Sequence, residues 1–184
     1  MLLRLARAAL DCAARRTALP PLESETLSER LCLPGASFVT LTRAGALRGC
    51  IGTLTPSLPL AEDVLLHAAA AAREDYRFEP VAPEETPEIE IEVSVLTEPA
   101  PLEHAGVDDL VRRLRPGVDG VILTCGAHRA TFLPQVWTRV PDPRAFLGLL
   151  SEKAGLPPEG WRRDDAHIQT YQVESFHESQ APPD

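Results

Sequence analysis

The chain has 184 residues, of which 44% are hydrophobic and 24% are charged, and its formal net charge is −9. This composition is typical of a soluble globular protein, and the length suits one domain or one domain with a small appended lobe. The acidic balance argues against a broad nucleic-acid-binding surface, because phosphate binding draws its affinity from clustered lysine and arginine.

The apolar residues at the N-terminus are spaced as in an amphipathic helix over residues 2–15, where Leu3, Ala6, Leu10 and Ala13 recur every three or four positions. Residues 37–42 and 46–51 are then predicted to form a hairpin that turns at residues 43–45. An alanine-rich segment over residues 60–74 predicts a second, buried helix. His67 lies in this helix, and we expect it to be packed or exposed rather than catalytic.

Residues 88–96 alternate apolar and polar side chains, which predicts a half-buried strand with Glu90 and Glu92 on its polar face. Strand rise places these carboxylates about 7 Å apart, which suits an acid/base pair or a hard-metal site, although most such pairs are solvated. Later segments predict a short helix over 107–114, a hairpin over 119–133, a helix that begins at Asp142 and a last strand over 167–176. Trp137 is expected to anchor a loop.

The most unusual stretch begins at Ala46 and reads Ala-Leu-Arg-Gly-Cys-Ile-Gly-Thr. Side chains alternate along a strand, so Arg48 and Cys50 should share one face. An adjacent guanidinium favours the thiolate, which makes Cys50 a candidate nucleophile and Arg48 its activating cation. The alternative is that Cys50 is a small buried hydrophobe and that the glycines mark a bulge or a tight crossing.

A polar and aromatic corner, Asp-Tyr-Arg-Phe-Glu-Pro, follows the second helix at residues 75–80. Loops held by a rigid scaffold often carry binding groups, so this corner is expected to meet the glycine-flanked strand.

The cysteines are widely spaced and show no CxxC and no Cys/His spacing of a zinc site; they are Cys12, Cys32, Cys50 and Cys125. We therefore expect free thiols in a reducing compartment, with no metal and no cofactor. Arginines and Asp11 interrupt the apolar residues at the N-terminus, and no apolar run approaches the roughly 18 residues that cross a bilayer. The sequence predicts a cytoplasmic protein that does not bind membranes.

Five ordered motifs resemble the AMMECR domain family, and they lie at residues 47–53, 75–78, 91–96, 131–137 and 153–157. The resemblance runs from the first helix to about Phe176 and predicts one domain over residues 1–178, followed by a disordered tail over 179–184. The corner usually reads Asp-Pro-Arg-Phe-Pro-Pro in this family. Here Tyr76 and Glu79 replace two of its prolines, which should loosen the loop.

The resemblance implies an α+β fold with a mainly antiparallel sheet flanked by helices, alone or with a small second lobe. Bacterial and archaeal members are called the A protein of the Amme-Memo-RadiSam system. That name implies two partners, a Memo-like protein and a radical SAM protein. The family supplies no established reaction.

Three functions follow from these observations. The first is a substrate-binding or catalytic accessory component of a pathway linked to radical SAM and Memo-like proteins, with a cleft built from Arg48, Cys50, Thr53, Asp75, Arg77, Glu92 and Gln135. The second is a self-sufficient cysteine-dependent enzyme for acyl transfer or hydrolysis, in which Cys50 attacks a carbonyl, Arg48 stabilises the anion, and Glu92 or a histidine handles the proton. The third is a non-catalytic protein-interaction adaptor.

Overall fold

The structure is a computed structural model that describes residues 1–22 and 27–178. Antiparallel sheets flanked by helices confirm the predicted α+β class. The chain divides into two compact units, of which unit 1 contains residues 1–96 with the C-terminal segment from Glu174, and unit 2 contains residues 97–173. The predicted disordered tail at 179–184 lies outside the described residues, and the single domain over 1–178 stays a prediction.

Unit 1 is built around a five-stranded sheet with the order β2-β1-β4-β9, in which a short β3 also pairs with β1. Its elements are α1 (Leu2–Arg15), α2 (Glu29–Cys32), β1 (Pro34–Arg43), β2 (Ala46–Gly52), β3 (Leu58–Pro59), α3 (Leu60–Arg73), a 3-10 helix (Pro83–Glu88), β4 (Ile89–Leu96) and, after unit 2, β9 (Val173–His177). The helices predicted over residues 2–15 and 60–74 are thus confirmed. β2 forms one edge of the sheet.

The two faces of this sheet differ because side chains alternate along each strand. Odd-numbered residues such as Val39 and Val93 are fully buried and belong to one hydrophobic core with Ala6 of α1 and Ala68 of α3. The even-numbered residues of β1 and β4 therefore point to the opposite face. The candidate site lies on this second face, and the helices pack on the first.

The β1–β2 hairpin contains an irregularity that alternation does not predict. Ala44 and Gly45 form its turn with φ of 50° and 76°, the positive values that a two-residue type I′ turn requires. Thr42 pairs with Leu47, whereas Leu41, the residue before Thr42 in β1, pairs with Gly49. Arg48 is therefore an extra residue, a β-bulge, and the register beyond it places Cys50 opposite Thr40.

Unit 2 has a four-stranded sheet with the order β5-β8-β6-β7. Its elements are β5 (Ala100–Pro101), α4 (Val107–Arg113), β6 (Gly120–Cys125), β7 (His128–Phe132), a 3-10 helix (Pro134–Thr138), α5 (Pro143–Lys153), a 3-10 helix (Gly160–Arg162) and β8 (Ala166–Tyr171). Trp137 stacks on Phe146 at 3.7 Å between ring centroids, and its Nε1 donates to the Asp119 carbonyl at 2.7 Å. The prediction that Trp137 anchors a loop is confirmed.

Within the ranges that the structure describes, no helix combines the length and the apolar character needed to cross a membrane.

Candidate functional site

Arg48 binds the segment that precedes β4. Its Nε and Nη2 donate to the two carboxylate oxygens of Glu85 at 3.0 and 2.9 Å, and its Nη1 donates to the Glu79 carbonyl at 2.8 Å. These hydrogen bonds from Arg48, with one from the Ala82 amide, lower the pKa of Glu85 to about 2. The expected placement of Arg48 beside the thiol rested on strict alternation, which the bulge at this residue breaks, and the hydrogen bonds of the guanidinium go to the segment before β4.

Cys50 is held through both its backbone and its side chain. Its amide donates to Asp75 Oδ2 at 2.8 Å, and its carbonyl accepts a longer hydrogen bond of 3.4 Å from Arg77 Nη2. The half-buried Sγ accepts a hydrogen bond from Thr40 Oγ1, also at 3.4 Å. The thiol therefore lies on the sheet face opposite the helices, beside a hydroxyl group.

Asp75 and Arg77 form the centre of the predicted corner. The Asp75 carboxylate is 4% exposed and accepts from Arg77 Nε at 2.8 Å and from Arg77 Nη2 at 2.6 Å. These bonds, together with the Cys50 amide, hold the pKa of Asp75 well below its usual value, and Asp75 in turn raises the pKa of Arg77. The corner thus meets the glycine-flanked strand, as expected from the sequence.

A row of polar side chains crosses the sheet from Cys50. Thr40 is opposite Cys50 on β2 and opposite Glu92 on β4, so the three side chains share one face. Glu92 Oε1 accepts from Ser94 Oγ at 3.0 Å and from Ser175 Oγ at 3.2 Å. A thiol, hydroxyl groups and a carboxylate therefore lie side by side on three neighbouring strands, with Ser175 on β9.

Thr53 and Gln135 are the remaining predicted site residues. Thr53 follows β2 in a loop, where its Oγ1 accepts a hydrogen bond from the Thr55 amide at 3.1 Å. Gln135 belongs to unit 2, and its carbonyl accepts from Thr138 Oγ1 at 2.7 Å within a 3-10 helix. Unit 1 thus brings Cys50, Asp75 and Arg77 into direct contact.

Glu90 shares the polar face of β4 with Glu92 and is exposed. Within residues 1–22 and 27–178, no three His, Cys, Asp or Glu side chains come together in a group that could hold a metal ion.

His67 lies in the helical layer. Its Nδ1 is 3.2 Å from Oδ2 of the buried Asp63, which accepts a hydrogen bond from Ser37 Oγ at 2.6 Å. Ser37 belongs to the helix-facing residues of β1, so this cluster joins α3 to the sheet. His67 is thus partly buried against Asp63, and its exclusion from catalysis stays a prediction.

The glycines that flank Cys50 are explained by packing. A Cβ on Gly49 would lie 2.2 Å from the Ala71 carbonyl oxygen of α3, and a Cβ on Gly52 would lie 2.4 Å from the Phe38 ring. Both distances are far below van der Waals contact, so β2 can approach its neighbours this closely only without side chains at these positions. These packing distances explain the two glycines but not the thiol between them.

The sequence did not identify Thr40 and Glu85 as site residues, nor the two serines, Ser94 and Ser175, that donate to Glu92. Thr40 was predicted only as part of a strand, although an antiparallel hairpin must place some β1 side chain opposite Cys50. Glu85 is 37 residues from Arg48 in the chain and follows Pro83 and Glu84 in an acidic segment without periodicity. The register of the bulged hairpin is needed to place Thr40 opposite Cys50, and the whole fold is needed to place Glu85 beside Arg48.

The family model described as AMMECR1 matches residues 3–176 of the chain. A protein from Methanothermobacter thermautotrophicus is 44% identical over 142 residues, which are 77% of this chain and 74% of that protein. Another from Thermococcus gammatolerans is 40% identical over 189 residues, covering 96% and 88% of the two chains. The crystal structure of the uncharacterized protein PH0010 from Pyrococcus horikoshii superposes with a TM-score of 0.87 at 36% identity, covering 96% of this chain and 89% of that one.

Proposed function

Because the chain belongs to the AMMECR1 family, we propose that it is a substrate-binding or catalytic accessory component of a modification pathway that also uses a Memo-like protein and a radical SAM protein. Its site in this proposal is the row of Cys50, Thr40 and Glu92 on the polar face of unit 1. The observation that carries the proposal is the position of the Cys50 thiol. It lies half-buried beside a hydroxyl group, whereas packing accounts for both flanking glycines.

The chemistry of the row supports a polar ligand. A thiol, two serine hydroxyls and a threonine hydroxyl donate or accept hydrogen bonds, and the Glu92 carboxylate accepts them. Asp75 and Arg77 fix the strand that carries the thiol, so the row is preorganised. Such a surface suits a substrate group rich in hydrogen-bond donors and able to contact a thiol.

A complementation experiment tests the proposal. The gene is deleted in the host, and the wild type, Cys50→Ala or Cys32→Ala is returned, with Cys32 as the control because it is an exposed thiol on α2. We expect the deletion to change the product of the pathway, and we expect the wild type and Cys32→Ala to restore it while Cys50→Ala does not. Affinity measurements of the purified protein with the Memo-like and radical SAM proteins accompany it. Full restoration by Cys50→Ala, or no binding to either protein, contradicts the proposal.

A second candidate function is a self-sufficient cysteine-dependent enzyme for acyl transfer or hydrolysis. One contact favours it, since the Thr40 hydroxyl donates to Sγ and a hydrogen bond to sulfur stabilises the thiolate. In this case Cys50→Ser should abolish the activity, because a serine hydroxyl without a neighbouring base is a weak nucleophile. A Cys50→Ser strain with full activity contradicts this candidate, and a protein that binds its partners without any need for Cys50 is instead an adaptor.

A further inference from the structure

Two charged side chains, Asp75 and Arg77, form hydrogen bonds with the backbone of Cys50 at the edge of β2. We propose that the Asp75–Arg77 ion pair, and not Arg48, controls the reactivity of the Cys50 thiol, and that its two members act in opposite directions. Both are positioning residues in this inference, because they contact the backbone of Cys50. The inference rests on the proposed function only in taking Cys50 as the thiol of the site.

β2 lies at the edge of its sheet. A strand at the edge of a sheet leaves every second amide and carbonyl without a strand partner. At Cys50 the pair supplies both partners, since Asp75 accepts from the amide at 2.8 Å and Arg77 donates to the carbonyl at 3.4 Å. The ion pair thus replaces a neighbouring strand at this one residue and fixes its backbone.

The charges of Asp75 and Arg77 differ in sign and in exposure to solvent. Asp75 is nearly fully buried, whereas the Arg77 side chain is 43% exposed, and the two charges offset each other as long as both are present. Without Asp75, the cation alone would stabilise the Cys50 thiolate. Without Arg77, a buried carboxylate bonded to the Cys50 amide would disfavour it. Glu92 of β4 faces the same row, and Tyr76 lies in the corner beside Arg77; every variant tested below keeps both, so neither produces a difference between the variants.

Arg48 differs from Arg77 in its partners. Its guanidinium donates to Glu85 through two nitrogens and to the Glu79 carbonyl through the third, so its charge is offset by the Glu85 carboxylate and these hydrogen bonds go to the segment before β4. Arg48 therefore serves as the matched control for the loss of a positive charge beside β2.

The experiment measures the rate of iodoacetamide alkylation of each thiol from pH 5.5 to 9.5 by mass spectrometry of the full chain. Asp75→Asn should move the pH midpoint of Cys50 alkylation downward and raise its rate at pH 7, and Arg77→Gln should do the reverse, each by about threefold or more. Arg77→Lys keeps the charge and should stay close to the wild type. Arg48→Gln should leave the midpoint in place, and Cys32 serves as the internal reference.

A purely structural role predicts a different pattern. Asp75→Asn and Arg77→Gln would then move the midpoint in the same direction, and Arg77→Lys would resemble Arg77→Gln. Either result overturns the inference. A midpoint shift in Arg48→Gln equal to that in Arg77→Gln also overturns it. If Arg77→Gln does not fold, Asp75→Asn and Arg77→Lys still test the inference. An electrostatic role predicts a lower pH midpoint of Cys50 alkylation in Asp75→Asn and an unchanged midpoint in Arg77→Lys, whereas a structural role predicts a change in both. Opposite shifts in a protein that fails the complementation experiment would support this inference and contradict the proposed function.

Discussion

At the scale of single residues, Gly49 shows how closely β2 passes beneath α3. Its missing side chain leaves room for the Ala71 carbonyl, which a Cβ would approach to 2.2 Å. Neither a backbone carbonyl in a helix nor a central residue of a strand can move by more than a few tenths of an ångström at low cost. The separation of β2 and α3, and with it the position of Cys50, therefore depends on this glycine.

We expect Gly49→Ala to lower the free energy of unfolding by about 2–3 kcal/mol, because the new methyl group forces the strand away from the helix. The control is Gly148→Ala in α5, where the nearest atom outside the helix's own backbone is 3.6 Å away. That change should raise stability by about 0.5–1 kcal/mol, since glycine weakens a helix interior. Urea unfolding measures both, and equal effects of the two changes would contradict the packing explanation.

Glu85 gives the protein a specific response to acid. Its pKa of about 2 in the folded protein is below its value of about 4.3 in an unfolded chain. A depressed pKa contributes stability above the unfolded value, and this contribution is lost as the pH falls from about 4.3 through about 2.

Glu85→Gln should therefore lower stability at pH 7 by about 1–2 kcal/mol and flatten the dependence of stability on pH below 5. Unfolding curves from pH 7 to 2 test this, with the exposed Glu84→Gln as control; equal slopes in the wild type and Glu85→Gln would contradict it.

The sequence identified the residues of the motif but not their partners. The residue types around Cys50 marked the strand as unusual, and the corner with Asp75 and Arg77 was expected to meet it. The relation of Arg48 to the thiol could not be predicted, because strict alternation assumes an unbulged strand. Its carboxylate partner lies in a segment whose position depends on the whole fold.

At the scale of elements, the β1–β2 turn is a place where the sequence departs from the preferred residue. Ala44 takes φ of 50°, a region that favours glycine or asparagine over alanine. We expect Ala44→Gly to stabilise the protein by about 0.5–1 kcal/mol. The control is Ala127→Gly in the β6–β7 turn, where Gly126 and not Ala127 takes the positive φ. Thermal unfolding measures both, and a destabilised Ala44→Gly variant would contradict the assigned conformation.

The long elements were predictable because their periodicity is strong. α1 and β4 begin and end within one residue of their predicted limits. Apolar residues recur every three or four positions in the helix and every two in the strand, so each pattern defines the face that packs against the core. The two-residue strands β3 and β5 have no periodicity and were not predicted. The glycines of β2 indicated a bulge as one alternative, but its position at Arg48 could not be predicted from periodicity.

At the scale of the whole molecule, each unit has its own hydrophobic core. Leu10 belongs to the core of unit 1, and Phe146, which is also fully buried, belongs to the core of unit 2. No residue contributes to both of these cores among the described residues. The two units are therefore candidates for separate cooperative unfolding.

Truncation of each core should loosen its own unit first. Leu10→Ala should accelerate hydrogen exchange in β1 and β4 while β6 and β8 stay protected, and Phe146→Ala should do the reverse, with each change costing about 2–5 kcal/mol. Hydrogen exchange followed by mass spectrometry gives the protection of each segment. A uniform loss of protection in either variant would instead support the single domain that the family resemblance predicts.

Whether Cys50 carries a functional thiol is tested most directly by the alkylation rates of the four cysteines at pH 7. Cys32 is exposed and supplies the rate of an ordinary thiol, whereas Cys125 is buried and burial raises its pKa, so it supplies the slow limit. The Asp75 and Arg77 charges offset each other in the wild type, so the hydrogen bond that Sγ accepts from Thr40 Oγ1 is the contact by which we predict that Cys50 reacts faster than Cys32, although it is less exposed. Reaction as slow as that of Cys125 would mean that Cys50 only fills space, and would contradict the account.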